Sequence, residues 1–165
     1  MDHKTTYHEQ NTMDNTRKLR EVLNTLPGFA KDYFRAMEPR TSAKTRISYI
    51  YDIRIFFHFL WQNNPYFKKY NDIAEIKLSD LDSLQPVDIE EYLEYLKLYE
   101  DTEGNTHTNG ERGLKRKLAA LRSFFNYYYK REMLKNNPTA IVDMPKLHKK
   151  EIVRLDVDEV ADLLD

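Results

Sequence analysis

Apolar residues along this chain recur at three- and four-residue intervals, which is the spacing of one face of an α-helix. The clearest case lies between Asn109 and Pro138, where Leu114, Leu118, Leu121, Phe125 and Tyr128 fall on one stripe. The opposite face carries Arg112, Arg116, Ala119, Ser123 and Lys130, positive at both ends with small side chains in the middle. Asn109 and Gly110 offer capping at the start, and Asn136-Asn137-Pro138 prevents any continuation. The spacing predicts an amphipathic helix of about five turns there.

Earlier segments follow the same rule. Residues 1–13 are polar and expected to be disordered. From Asp14 to Glu38, Leu19, Val22, Leu23, Leu26, Phe29, Tyr33, Phe34 and Met37 predict one or two helices, bent near Pro27-Gly28. Thr41 and Ser42 offer caps for a helix over 42–62 whose apolar positions run almost all round, leaving Lys44, Ser48, Tyr51 and Asp52 as its polar sector. Residues 66–85 read as a linker with a short helix near Leu78 to Leu84. Pro86 then opens a helix with Ile89, Tyr92, Leu93, Leu96 and Tyr99 inward and Asp88, Glu91 and Glu94 outward. Residues 100–110 form a polar loop, a short helix over 139–144 follows Pro138, and 145–150 is an exposed basic linker. Asp156 and Glu159 have capping-box spacing ahead of Val160, Leu163 and Leu164. The chain stops before that helix has anything to pack against, so the sequence is expected to be truncated there.

Composition narrows the picture. With 165 residues, 41% hydrophobic, only four glycines and no cysteine, the chain is expected to be all-α, with no disulfide or thiol chemistry, and cytoplasmic. No apolar run approaches the length of a membrane span, and the start has no secretory h-region.

The net charge of −1 hides a strong segregation. Residues 40–69 hold six Lys/Arg against Asp52 alone, 72–103 hold eleven acids against two lysines, and 107–150 hold eleven Lys/Arg against three acids. Two basic segments flank an acidic one, so the signs can separate onto different surfaces.

Catalytic signatures are missing. There is no Gly-rich phosphate loop, Cys/His metal pattern, GxSxG or HExxH, the five histidines are scattered, and Tyr127-Tyr128-Tyr129 reads as packing. Neither cofactor nor metal is expected, and this stretch of chain is not expected to be an enzyme. Basic helix starts at Lys44, Arg46 and Arg112, Lys115, Arg116, with Arg54 further along, make an external polyanion a sensible partner.

The segment from Gly113 to Leu164 resembles the end of the core-binding domain of tyrosine recombinases running into their catalytic domain. It carries R-K-L-A-A-L-R-S-F-F (Arg116–Phe125), Asn137-Pro138, Pro145-Lys146 and L-x-x-D-E-V-x-x-L-L (Leu155–Leu164). TxxxYxxDIxxFxxFL, here Thr45, Tyr49, Asp52, Ile53, Phe56, Phe59 and Leu60, is similar to the family's first core-binding helix. The resemblance covers roughly residues 41–165. It implies a SAM-like bundle of four to five helices over 41–145, an N-terminal extension over 1–40, and a linker with the start of a catalytic domain over 146–165. It further implies half of a clamp on double-stranded DNA, a missing catalytic domain, and a tetramer on DNA for the full protein. Carried over by position, the DNA contacts would be Lys44, Arg46, Ser48, Arg54, Arg112, Lys115, Arg116 and Ser123. Where the family often has Thr in the first turn of the basic helix, this chain has Gly113. A different reading makes the acidic helix 87–99 the working surface of a protein–protein interaction module with a basic partner.

Overall fold

The computed structural model describes residues 6–145. Five α-helices carry the fold: α1 Tyr7–Leu23, α2 Ala30–Met37, α3 Ala43–Asn63, α4 Pro86–Leu96 and α5 Glu111–Lys130. The class is all-α as expected, and the one sheet among the described residues is a small antiparallel hairpin, β1 Leu98–Glu100 with β2 Thr106–Thr108.

The central helix is α3. Ser42 caps it by accepting from the Thr45 N–H at 3.1 Å, and Ile50, Ile53, Phe56, Phe57, Phe59 and Leu60 are buried along it. Against it lies α5, with Leu114, Leu118, Leu121, Phe124, Phe125 and Tyr128 buried. Phe56 meets Phe125 and Phe57 meets Phe124 edge-on, each at 6.0 Å between ring centres. Phe124 also contacts Phe29, Tyr33 and Tyr128, so one ring joins α2, α3 and α5. Such edge-to-face pairs add to the burial of large apolar area.

The described residues before Ala43 are not a separate appendage. Val22, Leu26, Ala30, Tyr33, Phe34 and Met37 belong to the same buried core as α3 and α5. Tyr33 seats α2 on the predicted small-residue face of α5, its hydroxyl 2.6 Å from Ser123 Oγ. The N-terminal expectation is corrected on one point. Helix begins at Tyr7 rather than near residue 14, because Thr6 and Glu9 form a reciprocal capping box that satisfies two orphan amides. The first turns of α1 are exposed, and it is Leu19, Val22 and Leu23 that reach the core.

Three further stretches complete the fold, and in the first the short helix expected near Leu78 to Leu84 is present as a 3-10 turn over Leu78–Ser83. Between α3 and α4 the chain runs through short 3-10 turns at Pro65–Lys69, Ile73–Glu75 and Leu78–Ser83, knitted by the buried Asp80. Burial opposes the Asp80 charge, but hydrogen bonds from Tyr70, the Lys77 N–H and Tyr66, with Lys69 nearby, hold its carboxyl below the usual range. Helix α4 stops at Leu96, and Tyr99 lies in β1, where its ring stacks between Tyr95 and His107. Asp101 closes the turn of that hairpin by accepting from the Glu103 and Asn105 N–H groups at 2.9 Å and from His107 Nε2 at 2.8 Å. After α5 there is no helix over 139–144. Asn137 accepts from the Thr139 N–H and hydroxyl, and Arg122 donates to the Val142 carbonyl, so this stretch folds as a turn against α5. The expected basic linker beyond Pro145 and the helix start at Asp156 lie outside the described residues.

Two measurements follow from the core. Phe124→Ala should cost about 3–5 kcal/mol, read as a lower urea midpoint, because it opens a cavity where three helices meet. Burial raises the Tyr33 phenol to about 12, and the Tyr70 phenol is raised to about 12 by its hydrogen bond to Asp80. A raised folded-state value means this stability is complete below the ordinary value of 10.0 and lost as pH climbs through about 12. The thermal midpoint should therefore fall across that interval, and less so in Tyr70→Phe.

Candidate nucleic-acid interface

The pairings between α3 and α5 fix their relative direction. Asp52 meets Arg116 and Lys117, then Phe56 and Phe57 meet Phe125 and Phe124. Position rises together along both helices, so they run the same way and begin at one end of the bundle. Lys44 lies about 12 Å before Asp52 along α3, and Arg112 about 6 Å before Arg116 along α5. Lys44, Arg112 and Lys115 are exposed there, and Ser48 is half-buried one turn before Asp52.

Holding these starts together is Asp52, which is 4% exposed rather than part of a solvated sector as expected. Its Oδ1 accepts from Arg116 Nη2 at 3.2 Å and from Lys117 Nζ at 3.3 Å, while Tyr92 on α4 approaches its backbone carbonyl at 3.5 Å. Lys117 is itself buried. Burial pushes its ammonium below the ordinary lysine value, Asp52 pulls it back up, and Arg116 adds to the lowering. Arg116 is different, since its side chain remains 54% exposed while one nitrogen is anchored.

The other expected contact residues are placed otherwise. Arg46 is buried, and its Nη1 donates to the Glu38 carbonyl at 3.0 Å and the Thr41 carbonyl at 2.6 Å. It closes the turn between α2 and α3, so it does not join the exposed cations. Ser123 is half-buried beneath Tyr33 with its hydroxyl engaged, which takes it off the outer surface. Arg54 sits about 200° around α3 from Asp52. It stacks 5.2 Å over the Tyr51 ring and lines a separate cleft of 680 Å³ with His58, Tyr95, Tyr99 and His107. His58 in that cleft is pushed below the ordinary histidine value by burial, with Arg54 adding to the effect.

Sequence reasoning missed the Asp52–Lys117 pair, though a signal was present. Lys117 falls at i+3 from Leu114 and i−4 from Leu121, on the inner side of the stripe. Asp52 is one turn before Phe56 on a helix whose apolar positions run almost all round. Opposite charges at two inward positions of facing helices point to each other. At the helix start one of the two expected capping residues takes the cap. Gly110 takes the N-cap position without a side-chain bond, while Asn109 Nδ2 donates to the Leu96 carbonyl at 2.8 Å, tying the end of α4. A Cβ at Gly113 would stand 2.7 Å from Asn109 Oδ1, so glycine at this position leaves room for that tie.

An all-α bundle with one small two-stranded hairpin is consistent with a core-binding domain of the tyrosine recombinases. Comparison with known proteins carries this to the family. The chain is 33% identical over 138 residues to tyrosine recombinase XerC of Caldanaerobacter subterraneus, covering 81% of this chain and 37% of that protein. It is 26% identical over 129 residues to the tyrosine recombinases XerC of two Leptospira interrogans serovars, covering 78% of this chain and 35% of each. The chain belongs to the tyrosine recombinase family and corresponds to the N-terminal region of its members. It spans little more than a third of the length of these curated relatives. No protein-family model and no solved structure matches it.

Breaking the buried pair from one side strands a charge. Asp52→Asn should destabilise the fold by about 3–5 kcal/mol in denaturant titrations, and Asp52→Asn/Lys117→Met should recover most of that loss. Recovery fails if Asp52 acts through Arg116 alone.

Proposed function

We propose that this chain is the DNA-binding N-terminal domain of a site-specific tyrosine recombinase or integrase, which clamps the recombination site during strand exchange. The observation that carries the reading is the shared direction of α3 and α5, which puts Lys44, Arg112, Lys115 and Arg116 at one end of the bundle. Cations at adjacent helix N-termini oppose the macrodipole, and an external polyanion relieves that cost. A helix is the element that the major groove admits, and two starts side by side suit a groove and its flanking phosphates. The contacts we assign are Lys44, Ser48, Arg112, Lys115 and Arg116.

Residues 41–145 would form the binding domain and 146–165 lead into a catalytic domain supplied by the rest of the full protein. That protein would cleave one strand through a tyrosine 3′-phosphate and rejoin it to a partner strand, acting as a tetramer on two DNA sites in the cytoplasm. Helices α1 and α2 brace this domain through the core they share with α3 and α5.

Fluorescence anisotropy of a short duplex across a range of salt concentrations tests the reading. The expected result is a steep fall in affinity with salt, with Arg112→Ala/Lys115→Ala making the log–log slope shallower by about one to two. Indifference of the wild-type chain to duplex DNA at low salt would overturn it.

A further inference from the structure

Among the exposed cations at this end of the bundle, Arg116 differs in how it is held. Its Nη2 is fixed by a carboxylate that is itself buried and shared with a buried lysine. Asp52 Oδ2 is buried without a hydrogen-bond partner, so the pairing concentrates on the oxygen that meets both cations. A loose surface ion pair gives a guanidinium little orientation, because both side chains move and solvent screens them. A carboxylate set in the core does not move. It holds one nitrogen of the planar fork while 54% of the side chain stays exposed to solvent.

This arrangement is expensive for a residue that only neutralises phosphate. A phosphate contact needs charge and tolerates many orientations, which free side chains such as Arg112 and Lys115 supply. Reading a base edge needs orientation. The N7 and O6 acceptors of guanine in the major groove match the two parallel donors of a fixed guanidinium, and no other base pair presents that pattern at the same place. Geometry within about half an ångström demands a supporting residue locked by packing, which Asp52 provides.

We infer that Arg116 is the specificity-determining residue of this interface, reading a guanine in the major groove, and that Asp52 is its positioning residue. The inference rests on the DNA-binding reading above and goes beyond it by dividing labour. Arg116 reads sequence, whereas Arg112 and Lys115 supply affinity through phosphates. Lys117 is the second cation that holds the Asp52 carboxylate in place inside the bundle.

The experiment begins with the wild-type chain selecting duplexes from a randomised pool, followed by anisotropy on the recovered duplex and a scrambled duplex of equal composition. Arg116→Lys keeps the charge and loses the fork. It should lower affinity for the recovered duplex about 10-fold or more, with scrambled-duplex affinity and salt slope unchanged. Arg112→Lys should leave the ratio between duplexes intact. Asp52→Asn/Lys117→Met removes the anchor without stranding a buried lysine, and should lose the same discrimination although Arg116 remains. Retained discrimination in Arg116→Lys, an equal loss in Arg112→Lys, or intact discrimination in the double variant would each overturn the inference. So would a wild-type chain that binds DNA in a salt-dependent way but enriches no sequence. A wild-type chain that binds no duplex at all fails the DNA-binding reading itself, so the two failures are distinct.

Discussion

A carboxylate enclosed between α3 and α5 sets the geometry on which the rest of this surface depends. Asp52 accepts from Arg116 and Lys117, and Tyr92 brings α4 to the same point. Dispersion and apolar burial hold the two long helices together, but they tolerate sliding and rotation better than a charge pair does. A buried charge left unpaired costs several kcal/mol, so Asp52 and Lys117 restrict how α5 can turn against α3. The exposed basic helix starts then have a fixed relation to each other. What looks like a surface property is set by the interior.

The N-terminal segment contributes to the same end. Because Tyr33 covers Ser123 and Phe124 meets Phe29, Tyr33 and Phe57, α2 closes the side of α5 that the charge pattern alone leaves open. On that side Arg112 and Arg116 stay exposed at the start of α5 and Lys130 at its end. After α5, Asp82 accepts from the Lys135 and Asn136 N–H groups at 2.9 and 3.1 Å, and Arg122 holds the turn around Val142. The acids Glu90, Glu91 and Glu94 of α4 are exposed, and Glu90 and Glu94 line a groove with Glu111 and Leu114 at the start of α5.

Much of this was legible in the sequence where a single physical rule dominates. Helical periodicity gave α3, α4 and α5 and their apolar stripes, since burial of one face leaves a 3.6-residue imprint. Ser42 and the Pro86 start were readable for the same reason, as local caps. The rest depended on contacts between segments far apart. Arg46 looks like any basic residue at a helix start until the carbonyls of Glu38 and Thr41 come within reach. Ser123 looks exposed until Tyr33 arrives from ninety residues away. The hairpin was hidden because Leu98-Tyr99 continues the helical spacing of α4, while its pairing energy comes from across the loop. Thr6 and Glu9 are a counterexample, a local capping signal passed over because the surrounding residues are so polar.

The central claim is that the paired starts of α3 and α5 form the working surface. Titrating a duplex into the ¹⁵N-labelled chain and following backbone amide shifts tests it most directly. The account predicts salt-sensitive shifts concentrated at 43–52 and 110–117, with the outer face of α4 unmoved. Shifts confined to 86–96, or their absence at both helix starts under saturating duplex, would contradict it.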